Sequence, residues 1–123
     1  MTLNEYHALA QRTSRRGMDA KSHLFNGVLG LAGEAGECAD LLKKHCYQDA
    51  RPMHEAMVDE LGDVLWYVGE TAAALGVTLE EVARHNIEKL RRRYPDGFDS
   101  DRSLHREVSG NVRLPDDVPG GLA

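Results

Sequence analysis

Residues Gly30–Leu42 read GLAGEAGECADLL, and the reading of the whole chain turns on them. Apolar residues recur around this stretch at spacings of three and four, at Leu24, Val28, Leu31, Ala35, Cys38 and Leu42, the period of an amphipathic helix. Yet Gly30, Gly33 and Gly36 fall inside that helix, and each interior glycine costs about 1 kcal/mol relative to alanine. Glu34 and Glu37 stand three residues apart on one face, where like charges repel. A helix that accepts both penalties in one place implies a compensating gain there.

Working outward, the helix extends from about Ser22 to about His45. YQDARP, from Tyr47 to Pro52, reads as a loop whose proline suits a first helical turn. A third helix spans roughly Met53 to Leu75. Met57, Leu61, Val64, Leu65, Val68, Ala72 and Leu75 form its expected buried side, and Gly76 its stop. Before these lies a first helix, opened by a capping box of Thr2 with Glu5 and expected to run to about Arg15, ending near Gly17. Its stripe is Leu3, Tyr6, Leu9 and Ala10. A second capping box, Thr78 with Glu81, opens TLEEVARHNIEKLRRR, which Pro95 and Gly97 close. No strand pattern competes, so the spacing predicts an all-α, four-helix, bundle-like domain over residues 1–107, with largely antiparallel neighbours. SGNVRLPDDVPGGLA holds two of the four prolines and predicts a mobile tail over 108–123.

A chain of 123 residues makes one domain. The net charge is −5, and the only basic cluster is Arg91–Arg93, which argues against a nucleic-acid surface. No apolar run approaches the roughly 20 residues of a membrane span, and the N-terminus lacks the apolar centre of a signal peptide. Cys38 and Cys46 are too few for a disulfide scaffold and read as reduced thiols. The expected location is the cytoplasm.

The third helix supplies the partner of the opening stretch: ELGD, Glu60 to Asp63. Each of two consecutive helices thus carries two acids at i and i+3, well inside its length, so antiparallel packing can bring Glu34/Glu37 level with Glu60/Asp63. Apolar residues flank all four. One such pair at ~5 Å and an effective dielectric of ~20 costs about 3 kcal/mol, so protons or cations must relieve the site. Oxygen-only donors favour Mg²⁺, Mn²⁺ or Ca²⁺ over zinc. The glycines, lacking Cβ, would allow helices or a ligand to approach the acidic face closely.

GEAGE and ELGDVLWY, followed by NIEKLRRRYPDGF, resemble the MazG-like all-α nucleotide pyrophosphohydrolases, whose relatives include helical dCTP- and dUTP-cleaving enzymes. The resemblance covers roughly Leu24 to Phe98. It implies that Glu34, Glu37, Glu60 and Asp63 bind Mg²⁺, with Mn²⁺ a possible substitute, and that water cleaves a nucleoside triphosphate between the α- and β-phosphates. Nucleoside monophosphate and pyrophosphate would be released, in the service of removing unwanted nucleotides. One of the acids, Glu37 as first choice, would take the proton from the attacking water. Asn86 and Lys89 are carried over as phosphate contacts, with Arg93 one turn further on. Asn26 and Tyr67 match places that hold the nucleobase in the dCTP-cleaving relatives, while His23 has the weaker match of a cap or surface group. The family also implies a homodimer or dimer of dimers. Catalytic roles therefore fall on Glu37, Glu60 and Lys89.

Two rivals remain. A di-metal carboxylate oxidoreductase bundle wants Glu-x-x-His on two helices, and neither acidic pair offers the histidine. A non-catalytic helical interaction module has no need of four acids together with Lys89.

Overall fold

A computed structural model of the chain describes residues 1–48 and 53–105. The expected loop around Pro52 and the expected tail over 108–123 lie outside the described residues. The described chain is all helical: α1 (Leu3–Ala10), a 3-10 turn (Gln11–Thr13), α2 (Ala20–Gln48), α3 (Met53–Ala74), α4 (Leu79–Arg93) and a short α5 (Ser100–Leu104). Both capping boxes form. Thr2 caps Glu5 and Thr78 caps Glu81, each glutamate reaching back to the cap's own backbone N–H. The left-handed backbone expected at the stops is present at Gly17 (φ 81°), Gly76 (φ 72°) and Gly97 (φ 97°).

Several boundaries differ from the sequence expectation. α1 ends at Ala10 and tightens into the 3-10 turn instead of continuing to Arg15. α2 begins earlier, at Ala20, because Asp19 Oδ1 accepts the Ser22 backbone N–H at 2.7 Å. It also runs through Tyr47 to Gln48, beyond the expected end at His45. α5 was not anticipated; Asp99 starts it by accepting the Arg102 N–H at 2.9 Å.

The architecture is built on the antiparallel α2/α3 hairpin. Its register is set at two glycines. A Cβ on Gly27 would lie 3.0 Å from the Thr71 backbone nitrogen, and one on Gly30 would fall within the Tyr67 ring. Backbone cannot step aside, so Gly27 lets the two helices touch. Gly33, Gly36 and Gly62 have open space where a Cβ would be, so close helix contact explains Gly27 and Gly30 but not these three. α1 and the first turn of α4 cover one end of the hairpin. His7 and Leu79 pack over Gly69, and His7 Nε2 is hydrogen-bonded to the Gly69 carbonyl at 3.0 Å.

The apolar stripes are less covered than their spacing suggests. Ala72 and Leu79 are the buried hydrophobic residues among those described. Leu29 is 68% exposed and Leu61 54%, and Leu3, Leu9, Val28, Leu42, Leu65 and Leu75 are also exposed. On α1 the buried residue is His7, outside the expected stripe. The hairpin is wide, and one copy of α1 and α4 covers only part of it.

Candidate metal centre

Reading the hairpin register outward from Gly27–Thr71 and Gly30–Tyr67, one further turn brings Glu34 opposite Asp63, and the next brings Glu37 to the level of Glu60. The geometry agrees. Glu34, Glu60 and Asp63 each offer a carboxylate oxygen, and these oxygens all lie within 4.8 Å of one another. Glu34 and Glu60 are half-buried and Asp63 is exposed. Around an octahedral Mg²⁺ ion, oxygens on opposite sides lie about 4.2 Å apart and adjacent ones about 3 Å, so the three side chains would have to draw together to share one ion. The donor set is all oxygen, which fits a hard divalent cation.

Glu37 is not within that trio, but its charge reaches it. The Glu60 carboxyl is raised above its ordinary value, first by loss of solvent and then by the charges of Glu34, Glu37, Asp63 and Asp59. Either a proton or a bound cation would relieve this crowding of negative charge. Tyr6 of α1 belongs to the same neighbourhood: its hydroxyl is raised by burial and by the charge of Asp63. By spacing Tyr6 belongs to the apolar stripe of α1, and its phenol is the one feature in the sequence that sets it apart there.

The other expected residues are distributed as follows. Tyr67 follows Asp63 by one turn and lies on Gly30, with the Trp66 ring edge-on at 4.9 Å and 83°. Trp66 is a packing residue, its indole N–H donating to Thr13 Oγ1 at 2.8 Å. Asn26 is exposed and stands beside, not in, the face that meets α3; Gly27 occupies that face. Asn86 is exposed, Lys89 and Arg93 are half-buried, and among the described residues no hydrogen bond or ion pair joins any of the three to the acids. α4 is held chiefly through its first turn, by Leu79 and by Glu80, which accepts the Asn4 amide at 2.8 Å.

A second polar cluster lies at the far end of the hairpin. Glu70 is 1% exposed, yet its carboxylate accepts from His23 Nδ1 at 2.7 Å, Ser14 Oγ at 2.8 Å and Gln11 Nε2 at 3.2 Å. Burial alone would push its carboxyl up. The bonds from His23, Ser14 and Gln11 outweigh that and hold it below its ordinary value. His23, weighed as a surface or capping group, is therefore a structural partner of a buried acid. Glu70 itself gave no signal: one glutamate in a helix reads as solvated until tertiary structure encloses it.

Comparison with known proteins identifies the family. The MazG nucleotide pyrophosphohydrolase domain matches residues 26–98, which contain all four acids, and the chain belongs to that family. It is also similar to the Gene 37 protein of Mycobacterium phage L5, with 38% identity over 74 residues, or 57% of this chain. The chain spans 65% of the length of that curated relative. No solved structure matches it. Among the described residues no helix is long and apolar enough to cross a membrane.

Proposed function

We propose that this chain is a Mg²⁺-dependent nucleoside triphosphate pyrophosphohydrolase that releases a nucleoside monophosphate and pyrophosphate, acting in the cytoplasm to clear unwanted nucleotides. The observation that carries the reading is the convergence of Glu34, Glu60 and Asp63 from two antiparallel helices inside a MazG domain. A triphosphate is repelled by such a cluster unless divalent cations lie between them. Bound Mg²⁺, or Mn²⁺ in its place, would supply the charge that holds the polyphosphate and lowers the pKa of a water.

The chain's own groups divide the remaining work. Glu34, Glu60 and Asp63 hold the cation, and Glu37, one turn beyond Glu34, either joins them or accepts the proton of the attacking water. Lys89 and Asn86, with Arg93, neutralise and orient the phosphates once α4 or a neighbouring subunit brings them over the acids. Tyr67 and Asn26 border the nucleoside. The exposed leucines and valines of α2 and α3 support a homodimer or a dimer of dimers.

The test is pyrophosphate release from a panel of ribo- and deoxyribonucleoside triphosphates with Mg²⁺, alongside Glu60→Gln. The wild type should turn over at least one nucleotide, and Glu60→Gln should lose that turnover while remaining folded. Full activity in the variant would refute the ligand assignment, and a wild type inert toward the whole panel would refute the enzyme reading.

A further inference from the structure

Tyr67 is seated rather than merely packed. Its ring lies where a side chain on Gly30 would be, so that any Cβ at position 30 would fall among Cδ1, Cε1 and Cζ. Trp66 meets the ring at close to a right angle, and Trp66 is itself tied to the turn after α1 through Thr13. The backbone beneath is fixed as well: the Tyr67 carbonyl accepts the Thr71 hydroxyl at 2.8 Å. The ring thus has a floor, a wall and a braced backbone.

The position of this seat is specific. Gly30 precedes Glu34 by four residues and Tyr67 follows Asp63 by four, so the seat lies one helical turn, about 6 Å, from the level at which the acids converge. A step of that size is on the scale of the step from a metal-bound phosphate to the sugar it carries. We propose that Gly30 is a positioning residue for the nucleoside part of the substrate. Its missing side chain lets Tyr67 lie against α2, and the ring in that pose forms the surface beside which sugar and base settle once the phosphates are held. This rests on the nucleotide reading of the acidic site and adds a residue that acts only through Tyr67.

In Gly30→Ala the ring must swing off α2, while the acids, one turn away on both helices, keep their register. Misplacing a contact by about an ångström costs up to a hundredfold, and for a surface that orients rather than reacts we expect a roughly tenfold rise in KM with kcat within about twofold. Mn²⁺ binding to the nucleotide-free protein, read by its paramagnetic resonance signal, should not change. Tyr67→Ala should raise KM similarly. The decisive variant is Gly30→Ala/Tyr67→Ala, in which the collision is gone. Its KM should equal that of Tyr67→Ala alone.

A wild-type KM in Gly30→Ala, multiplied effects in the double variant, or loss of Mn²⁺ binding in Gly30→Ala would each overturn the assignment. If the wild type cleaves nucleotides but these variants behave so, only the role of Gly30 falls. A wild type that neither binds nor cleaves a nucleotide overturns both readings.

Discussion

Glu70→Ala tests how the N-terminal segment is fastened to the hairpin. The variant removes an acceptor of three hydrogen bonds, at 2.7, 2.8 and 3.2 Å, from a position 1% exposed. Bonds to a charged group contribute ~1.5 kcal/mol or more each, so two short bonds and one longer bond together represent about 4 kcal/mol. Water can reach the released donors of His23, Ser14 and Gln11, all half-buried, and the cost of burying the carboxylate disappears; together these offset roughly half. The one lost methylene adds ~0.8 kcal/mol. The expected net loss is about 3 kcal/mol, a fall in Tm of roughly 9–15 °C for a domain of this size.

The pH dependence gives a second, sharper check. The Glu70 carboxyl is held below its ordinary value of 4.5, so its stabilisation is complete above pH 4.5 and is lost as pH falls through the lower folded value. The gap between wild type and Glu70→Ala, measured by urea unfolding at fixed protein concentration, should therefore be widest near neutrality and narrow below pH 4.5. A gap under ~0.5 kcal/mol at pH 7, the usual size of a surface substitution, or a gap independent of pH, would refute the account.

At the acidic cluster the sign reverses. The Glu60 carboxyl is raised, so in the metal-free protein its contribution is present below pH 4.5 and lost as pH rises through the folded value. Glu60→Gln should accordingly raise Tm in chelator and show little of the increase that millimolar Mg²⁺ or Mn²⁺ gives the wild type in thermal-shift measurements. Thr78→Ala should cost about 1 kcal/mol by losing the capping box of α4, as measured by chemical denaturation. Leu29→Glu, on an apolar residue 68% exposed, should reduce the sedimentation coefficient from that of an oligomer to that of a monomer. An unchanged coefficient would place the subunit contact elsewhere.

What could be read from the sequence follows from which interactions are local. Capping boxes are complete within four residues, so Thr2–Glu5 and Thr78–Glu81 were visible before any fold was known. The i and i+3 spacing of Glu34/Glu37 and Glu60/Asp63 carried the acidic site, because two antiparallel helices joined by one connection leave few registers. The exposure of Leu29, Leu61 and Leu65 was not legible, since periodicity marks which side of a helix is apolar but not what covers it. Nor were His7, Ser14 or Glu70. Each is an unremarkable polar residue until a segment more than fifty positions away closes over it. Gly30 stood out as a costly residue in a helix, and only the Tyr67 ring says why it is there.

The Glu70 cluster also bears on where this protein can be cut. Its three donors, Gln11, Ser14 and His23, all precede residue 26, where the family match begins, while Glu70 lies inside the matched segment. A fragment of residues 26–98 would lose every donor to Glu70 and lay open the part of α3 that the N-terminal segment covers. The stretch that relatives share and the stretch that must be expressed together are different lengths, and the shorter one omits the clasp.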